Sequence, residues 1–329
     1  MVRRLLLGLL LAVALTVAVV RIARTPSNDR QWHPHQQVLP RVTVRGELVE
    51  VRNVRDFIHR SESSFERRYV DKVYDLRKLR SAWYAVSRFG GVPGLAHAFL
   101  TFDFDGDYVC VSVEARKEAD ESYSPLRGLL NEYELMYVIG SERDIIGIRT
   151  NIWKEAVTLY PVRTTPQKLR QAFLGMVTRA EQLARRPEFY DTLANSCNSN
   201  IVRHVNAIAP GRIRFDLRTI LPGFSDEVAW ELGLIDSSRP LDEIRELYRI
   251  DRAAQRVPLD EDFSQAIRAG LPAGSDHRPM HKAGFSEGSA HPTRSPTRAR
   301  SRLPLSVTTG ACEAQSPSHL FSIGSIANL

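Results

Sequence analysis

Cys197 lies in a run of small polar residues, Asn195-Ser196-Cys197-Asn198-Ser199-Asn200. Behind it Ile201, Val202, Val205 and Ile208 recur at helical spacing and stop at Pro210-Gly211. A thiol at a helix N-terminus feels the positive end of the dipole, which favours the thiolate, the nucleophilic form. An inert, partly buried loop cysteine accounts for the same residues, so this segment alone leaves nucleophile and bystander open. A cysteine nucleophile needs a base, usually an imidazole, and a group that orients it. The central part of the chain offers His59, His97 and His204. His204 follows Cys197 by seven residues, about 10 Å along a helix and too far for direct contact.

His97 opens a strand candidate, residues 97–103, whose return strand is residues 108–114; Asp105-Gly106 between them is a two-residue turn signal. With those two residues at the turn centre, Phe104 pairs with Asp107 and His97 lies opposite Glu114 on one sheet face. A slip of one residue would separate them. The same face carries Phe99, Thr101, Cys110 and Ser112. The other carries Leu100, Phe102, Val109, Val111 and Val113 and is the more apolar, so the cleft is expected on the His97 side. Cys197 as nucleophile, His97 as base and Glu114 as orienting acid would form a Cys-His-Glu constellation for acyl transfer or hydrolysis. The bland alternative for His97 and Glu114 is a solvated pair worth about 0–1 kcal/mol.

The elements that must position these residues point to an α+β fold, an antiparallel sheet packed with helices. Residues 41–50 read as a hairpin around Gly46, residues 51–92 as short strands rich in aromatics, and residues 134–139 and 157–162 as further strands. Thr165 caps a helix with Pro166 in its first turn, and Leu169, Phe173, Met176, Val177 and Ala180 form its buried stripe. Two more helices are expected, from Ser225 to Leu232 and from Leu241 to Ala254. The domain plan is an anchor at 1–24, a linker at 25–40, one folded domain at 41–268 and a disordered basic tail at 269–329.

The apolar run of residues 5–20 is flanked by Arg3, Arg4 and Arg21. Its end, Val-Ala-Val-Val-Arg, is a poor cleavage site, so an uncleaved transmembrane signal anchor is expected, with secretion after cleavage as the alternative. Either way the remainder is exported. The net charge of +7 belongs to the two ends; residues 31–270 are neutral overall, which argues against a nucleic-acid partner. Cys110, Cys197 and Cys312 make no disulfide framework. A Cys110–Cys197 bond is allowed in an oxidising compartment and would remove the nucleophile. No metal-ligand spacing is present, and no cofactor is expected.

Several ordered segments resemble one family. They are residues 26–32 (Pro-Ser-Asn-Asp-Arg-Gln-Trp), Val51-Arg52-Asn53-Val54-Arg55-Asp56-Phe57, Tyr74-Asp75-Leu76, Ala96-His97-Ala98, and Glu114 with Glu121-Ser122-Tyr123-Ser124-Pro125. Arg149-Thr150-Asn151 and the cysteine box after Glu188-Phe189-Tyr190 complete the set. Together, over roughly residues 26–268, they resemble the Lnb N-terminal periplasmic domain. The resemblance implies lipoprotein intramolecular acyltransferase chemistry, which moves an acyl chain from glycerol onto the α-amino group of a lipoprotein's N-terminal cysteine. It also implies a permuted papain-like (NlpC/P60-like) arrangement with Cys197 as nucleophile, His97 as base and Glu114 as orienting acid, and with Tyr123, Arg149 and Asn195 binding substrate. The family's box reads Asn-Cys-Thr-Thr; here Ser196 precedes the cysteine and Asn198-Ser199 follow it. The expectation is therefore a protein of the bacterial inner membrane, single-pass, with its main domain in the periplasm. It would act as a cysteine acyltransferase or hydrolase on membrane lipid or lipoprotein. A papain-like cell-wall peptidase or amidase, and a non-catalytic envelope protein of the same fold, are the alternatives.

Overall fold

The computed structural model describes residues 1–272. Its strands are β1 (Arg41–Arg45), β2 (Leu48–Arg55), β3 (Ile58–His59), β4 (Phe65–Glu66), β5 (Tyr69–Asp75), β6 (Leu79–Arg88), β7 (Ala96–Phe104), β8 (Asp107–Arg116), β9 (Glu134–Ser141) and β10 (Ala156–Pro161). Its α-helices are α1 (Val2–Ala23), α2 (Pro125–Gly128), α3 (Glu142–Gly147), α4 (Pro166–Arg185), α5 (Cys197–Ile208), α6 (Ser225–Glu231), α7 (Leu241–Leu247), α8 (Asp251–Ala254) and α9 (Phe263–Ala266). An eight-stranded sheet runs β1-β2-β9-β8-β7-β6-β10, with β5 also paired to β2. Its pairings are antiparallel apart from the short parallel contact of β2 with β9.

The central hairpin forms in the register expected from its turn. Phe104 pairs with Asp107, and Asp105 and Gly106 both take positive φ, 54° and 93°, which a two-residue turn of this hand requires. The expectation of one apolar and one polar hairpin face needs correction, because both faces are covered. Leu100, Phe102, Val109 and Val111 pack under α4 and α5 with Phe173 and Ile201. Phe99 and Cys110 belong to a second core with Ile145, Ile146, Ile250 and Phe263. The sheet is thus a middle layer between two helical layers, and a site on the His97 side can open only where the second layer stops.

The long helix starts at its Thr165 cap, whose hydroxyl accepts from the Lys168 amide, and buries the expected stripe. The helix expected over residues 241–254 is broken into α7 and α8. Tyr248 and Ile250 leave the helix to bond β10, with Leu159 N donating to Tyr248 O and Ile250 N donating to Val157 O, both at 2.9 Å. Sheet-edge hydrogen bonds outcompete the local helical periodicity there.

Two terminal expectations change. The apolar N-terminus is helical, but among the described residues no helix is long and apolar enough to cross a membrane. The uninterrupted run of residues 5–20 rises only about 24 Å against a hydrocarbon layer of ~30 Å. The stretch expected as a linker lies against the domain. Trp32 is buried under the Arg116 guanidinium, 3.9 Å away, and the Asn28 side chain donates to Leu183 O at 2.9 Å. The expected tail, beyond residue 272, lies outside the described residues.

Candidate active site

Cys197 is the first residue of α5. Ser196 is the N-cap, and it and Ser199 form a reciprocal capping box in which each side chain accepts from the other's backbone amide. That box fixes the thiol at the positive end of the helix. The neighbouring polar residues serve the local fold: Asn198 Nδ2 donates to Thr219 O at 2.6 Å, and Asn200 Nδ2 to Ser196 O at 2.8 Å. The polar surroundings read from sequence do not make Cys197 exposed; it is 4% accessible and packs with Ile201 and Tyr190 at the edge of the first core. Cys110 and Cys197 are both free thiols. Cys110 is buried in the second core, on the other sheet face, so the two do not pair.

His97 sits at the start of β7, where it stacks on the Phe99 ring with centroids 5.7 Å apart and planes inclined by 24°. Its Nε2 is 2.7 Å from Ser112 Oγ and 3.2 Å from Glu114 Oε1. Ser112 Oγ in turn donates to Glu114 Oε1 at 2.7 Å. A hydroxyl that gives its proton to the carboxylate accepts from the ring, so Nε2 carries hydrogen and Nδ1 is the nitrogen left for the thiol. Burial would push the imidazole down, but the Glu114 charge and the nearby Cys197 outweigh it, and the ring is raised to about 9. Glu114 is desolvated as well. The facing His97, the Arg149 guanidinium and the Ser112 hydroxyl nevertheless hold it well below the usual carboxylate range.

Arg149 reaches this site from an unusual backbone. After α3 the chain makes a π-helical turn, Ile148–Ile152, closed by Trp153 N donating to Ile148 O at 2.9 Å. The turn lays the guanidinium over Phe99, with Nη2 3.0 Å from Glu114 Oε1 and Nη1 2.7 Å from Ile145 O. Arg149 therefore fixes the carboxylate that faces His97.

The cysteine, histidine and glutamate line one cavity of about 510 Å³ together with Tyr123, Tyr190 and Arg149. Tyr123 Oη is 3.4 Å from Tyr190 Oη. Burial, opposed by the Tyr190 hydrogen bond and aided by the nearby Cys197, raises Tyr123 to about 12, so it stays a neutral phenol. Of the residues expected to bind substrate, Tyr123 is brought to the cavity and Arg149 is held at its edge by Glu114. Asn195 is not among the lining residues: its Nδ2 donates to Phe189 O at 2.8 Å and its Oδ1 accepts from Asn200 at 3.1 Å. It closes the loop before the cysteine. His204 points away, 2.9 Å from Tyr137 Oη. Ser112 and Tyr190 were not expected at the site. Ser112 is legible, lying two residues before Glu114 on the same sheet face; Tyr190 is marked in sequence only as part of the Glu188-Phe189-Tyr190 segment before the cysteine box.

A layered α+β fold thus brings a thiol, an imidazole and a carboxylate to the wall of one cavity. The chain belongs to the family described as the Lnb N-terminal periplasmic domain, whose model matches residues 65–247. His97, Glu114, Tyr123, Arg149, Asn195 and Cys197 all lie inside that span. No curated protein and no solved structure matches the chain.

Proposed function

We propose that the protein is a periplasm-facing cysteine acyltransferase or hydrolase acting on acyl lipid or lipoprotein, held at the inner membrane by its N-terminal segment. The observation that carries the reading is that Cys197 and His97 line one cavity, with the imidazole backed there by Ser112 and Glu114. Its chemistry is a two-step displacement. The Cys197 proton passes to His97 Nδ1, and the sulfur attacks an ester carbonyl. The oxyanion sits against backbone N–H groups of the first turn of α5, where the helix dipole adds to hydrogen bonding. His97 then returns the proton to the departing alkoxide, leaving an acyl-thioester on Cys197. An amine or water, deprotonated by His97, takes the acyl group and frees the thiol.

One part of the cavity wall supports the acyl reading. There Leu95, Ala96, Ile220 and Leu221 stand with the two tyrosines and offer apolar surface to a hydrocarbon chain, while Glu62, Lys117, Glu121 and Glu155 line the cavity elsewhere. A permuted papain-like arrangement is consistent with His97 on a strand and Cys197 at a helix start. The test is transfer of a labelled acyl chain from a diacylglyceryl peptide to its own amine or to water. Cys197→Ser and His97→Gln should each abolish it, and full activity in Cys197→Ser would overturn the proposal.

A further inference from the structure

The mouth of the Cys197 cavity is walled by loops. Four loops contribute lining residues there: Gly94 and Leu95 from the β6–β7 loop, Pro125 at the start of α2, Thr192 before the cysteine, and Ile220 to Pro222 before α6. Each of these loops also carries at least one large apolar side chain in full view of solvent. Val92 is 53% exposed, Leu126 73%, Leu193 53%, Phe215 84% and Leu217 70%, with Leu221 on the inner rim. Outside α1, the remaining exposed large apolar side chains among the described residues are Val38, Val44, Leu48 and Val73, which belong to β1, β2, β5 and the segment before them. Exposed apolar groups scattered singly mean little, but several of them on the loops that wall one opening mark an interaction surface.

The loops are tied to one another and to α1. Thr192 Oγ1 donates to Pro125 O at 2.7 Å, which sets Leu126 and Leu193 on adjoining turns. Gly223 N donates to Gly94 O at 3.0 Å and joins the other two loops. Arg21, in the last turn of α1, pairs with Asp191 at 2.7 Å and donates to Leu129 O at 3.1 Å; Arg24 pairs with Glu132 at 3.3 Å. Asp191 in turn accepts from the Leu193 and Ala194 amides at 2.9 and 2.8 Å. The apolar helix therefore ends beside Leu126 and Leu193, with arginines at the junction where an amphipathic segment meets headgroups.

We propose that the rim of the Cys197 cavity, built from Val92, Leu126, Leu193, Phe215, Leu217 and Leu221, docks on a lipid bilayer and opens the cavity directly to it. The occupant is the bilayer rather than a second copy of the chain, because the rim is continuous with the apolar, arginine-flanked α1. The proposal rests on the acyl-lipid reading for its purpose, though its test needs no activity. Full-length protein in a Cys197→Ser, Cys312→Ser background retains only the buried Cys110. Into it go single substitutions Leu126→Cys, Leu193→Cys, Phe215→Cys, and as controls Leu48→Cys and Val73→Cys, each labelled with bimane. The labelled protein is reconstituted into phosphatidylethanolamine–phosphatidylglycerol vesicles with or without doxyl-labelled lipid. The rim labels should lose roughly half or more of their fluorescence to the doxyl lipid while the controls stay bright, as side chains buried in the interface would. Rim quenching no greater than at Leu48 and Val73 overturns the proposal. So does rim shielding that rises with protein concentration in the absence of lipid, which would assign the rim to self-association. Quenched rim labels with no acyl transfer by the native chain would sink the enzymatic reading and leave the docking surface standing.

Discussion

Replacing Glu114 by glutamine keeps the shape of the site and removes one charge. In the native chain that charge is the largest influence raising His97, to about 9, against the burial that would lower it. The ordinary imidazole value is about 6.5, and each unit is worth about 1.4 kcal/mol, so the imidazolium is favoured by roughly 3 kcal/mol relative to a free histidine. Without the carboxylate, burial and the Cys197 contact oppose each other and the ring should return close to its ordinary value, a fall of about two units. Because the folded value lies above the unfolded one, the native chain gains stability from His97 that is complete below about pH 6.5 and is lost as pH rises through about 9. The variant should lack that sloping region. The assay is the Cε1 proton shift of His97 against pH, assigned by its absence in His97→Gln, with urea unfolding at pH 6 and pH 9.5 as the companion. A midpoint that stays near 9 in Glu114→Gln would mean that the proton is held by something other than Glu114.

Three further outcomes follow from the same geometry. Ser112→Ala removes the hydroxyl between ring and carboxylate and should lower kcat by roughly tenfold, the worth of one hydrogen bond to a charged group, with KM nearly unchanged; steady-state kinetics checks it. Phe173 is fully buried with Phe102 at 5.1 Å and Phe104 at 4.9 Å, so Phe173→Ala should cost about 3–5 kcal/mol in a urea melt. Gly223→Ala would bring a Cβ within 2.6 Å of Gly94 Cα, forcing two rim loops apart; a loss of about 1–3 kcal/mol in thermal unfolding is expected, with reduced acyl transfer.

Much of the site is written in short-range chemistry. The Asp105-Gly106 turn dictates the hairpin register, and the register alone aligns His97, Ser112 and Glu114 on one face. The serine cap and apolar spacing place Cys197 at a helix start. What joins the two halves is long-range. Cys197 and His97 line one cavity because α5 packs on β7, and nothing local to either segment specifies that. The π turn that delivers Arg149 is equally hidden, since a single extra residue in a helical turn leaves no periodic trace. The two-faced burial of the central sheet is obscured because Phe99 and Cys110 share their face with His97, Thr101, Ser112 and Glu114, and a face that mixes polar with apolar residues reads as half-solvated. The break between α7 and α8 arises from pairing with β10, a competition no window over residues 241–254 can contain.

The central claim is that an acyl group passes through the Cys197 sulfur. Its most direct test is mass spectrometry of the Cys197 peptide after rapid acid quenching of the protein with a diacylglyceryl peptide whose amine is blocked, so that only slow hydrolysis can discharge the enzyme. The native chain should show the mass of one acyl group on Cys197, labile to hydroxylamine, and His97→Gln should show none. Acyl transfer that proceeds with Cys197 unmodified, or that continues in Cys197→Ser, would contradict the account.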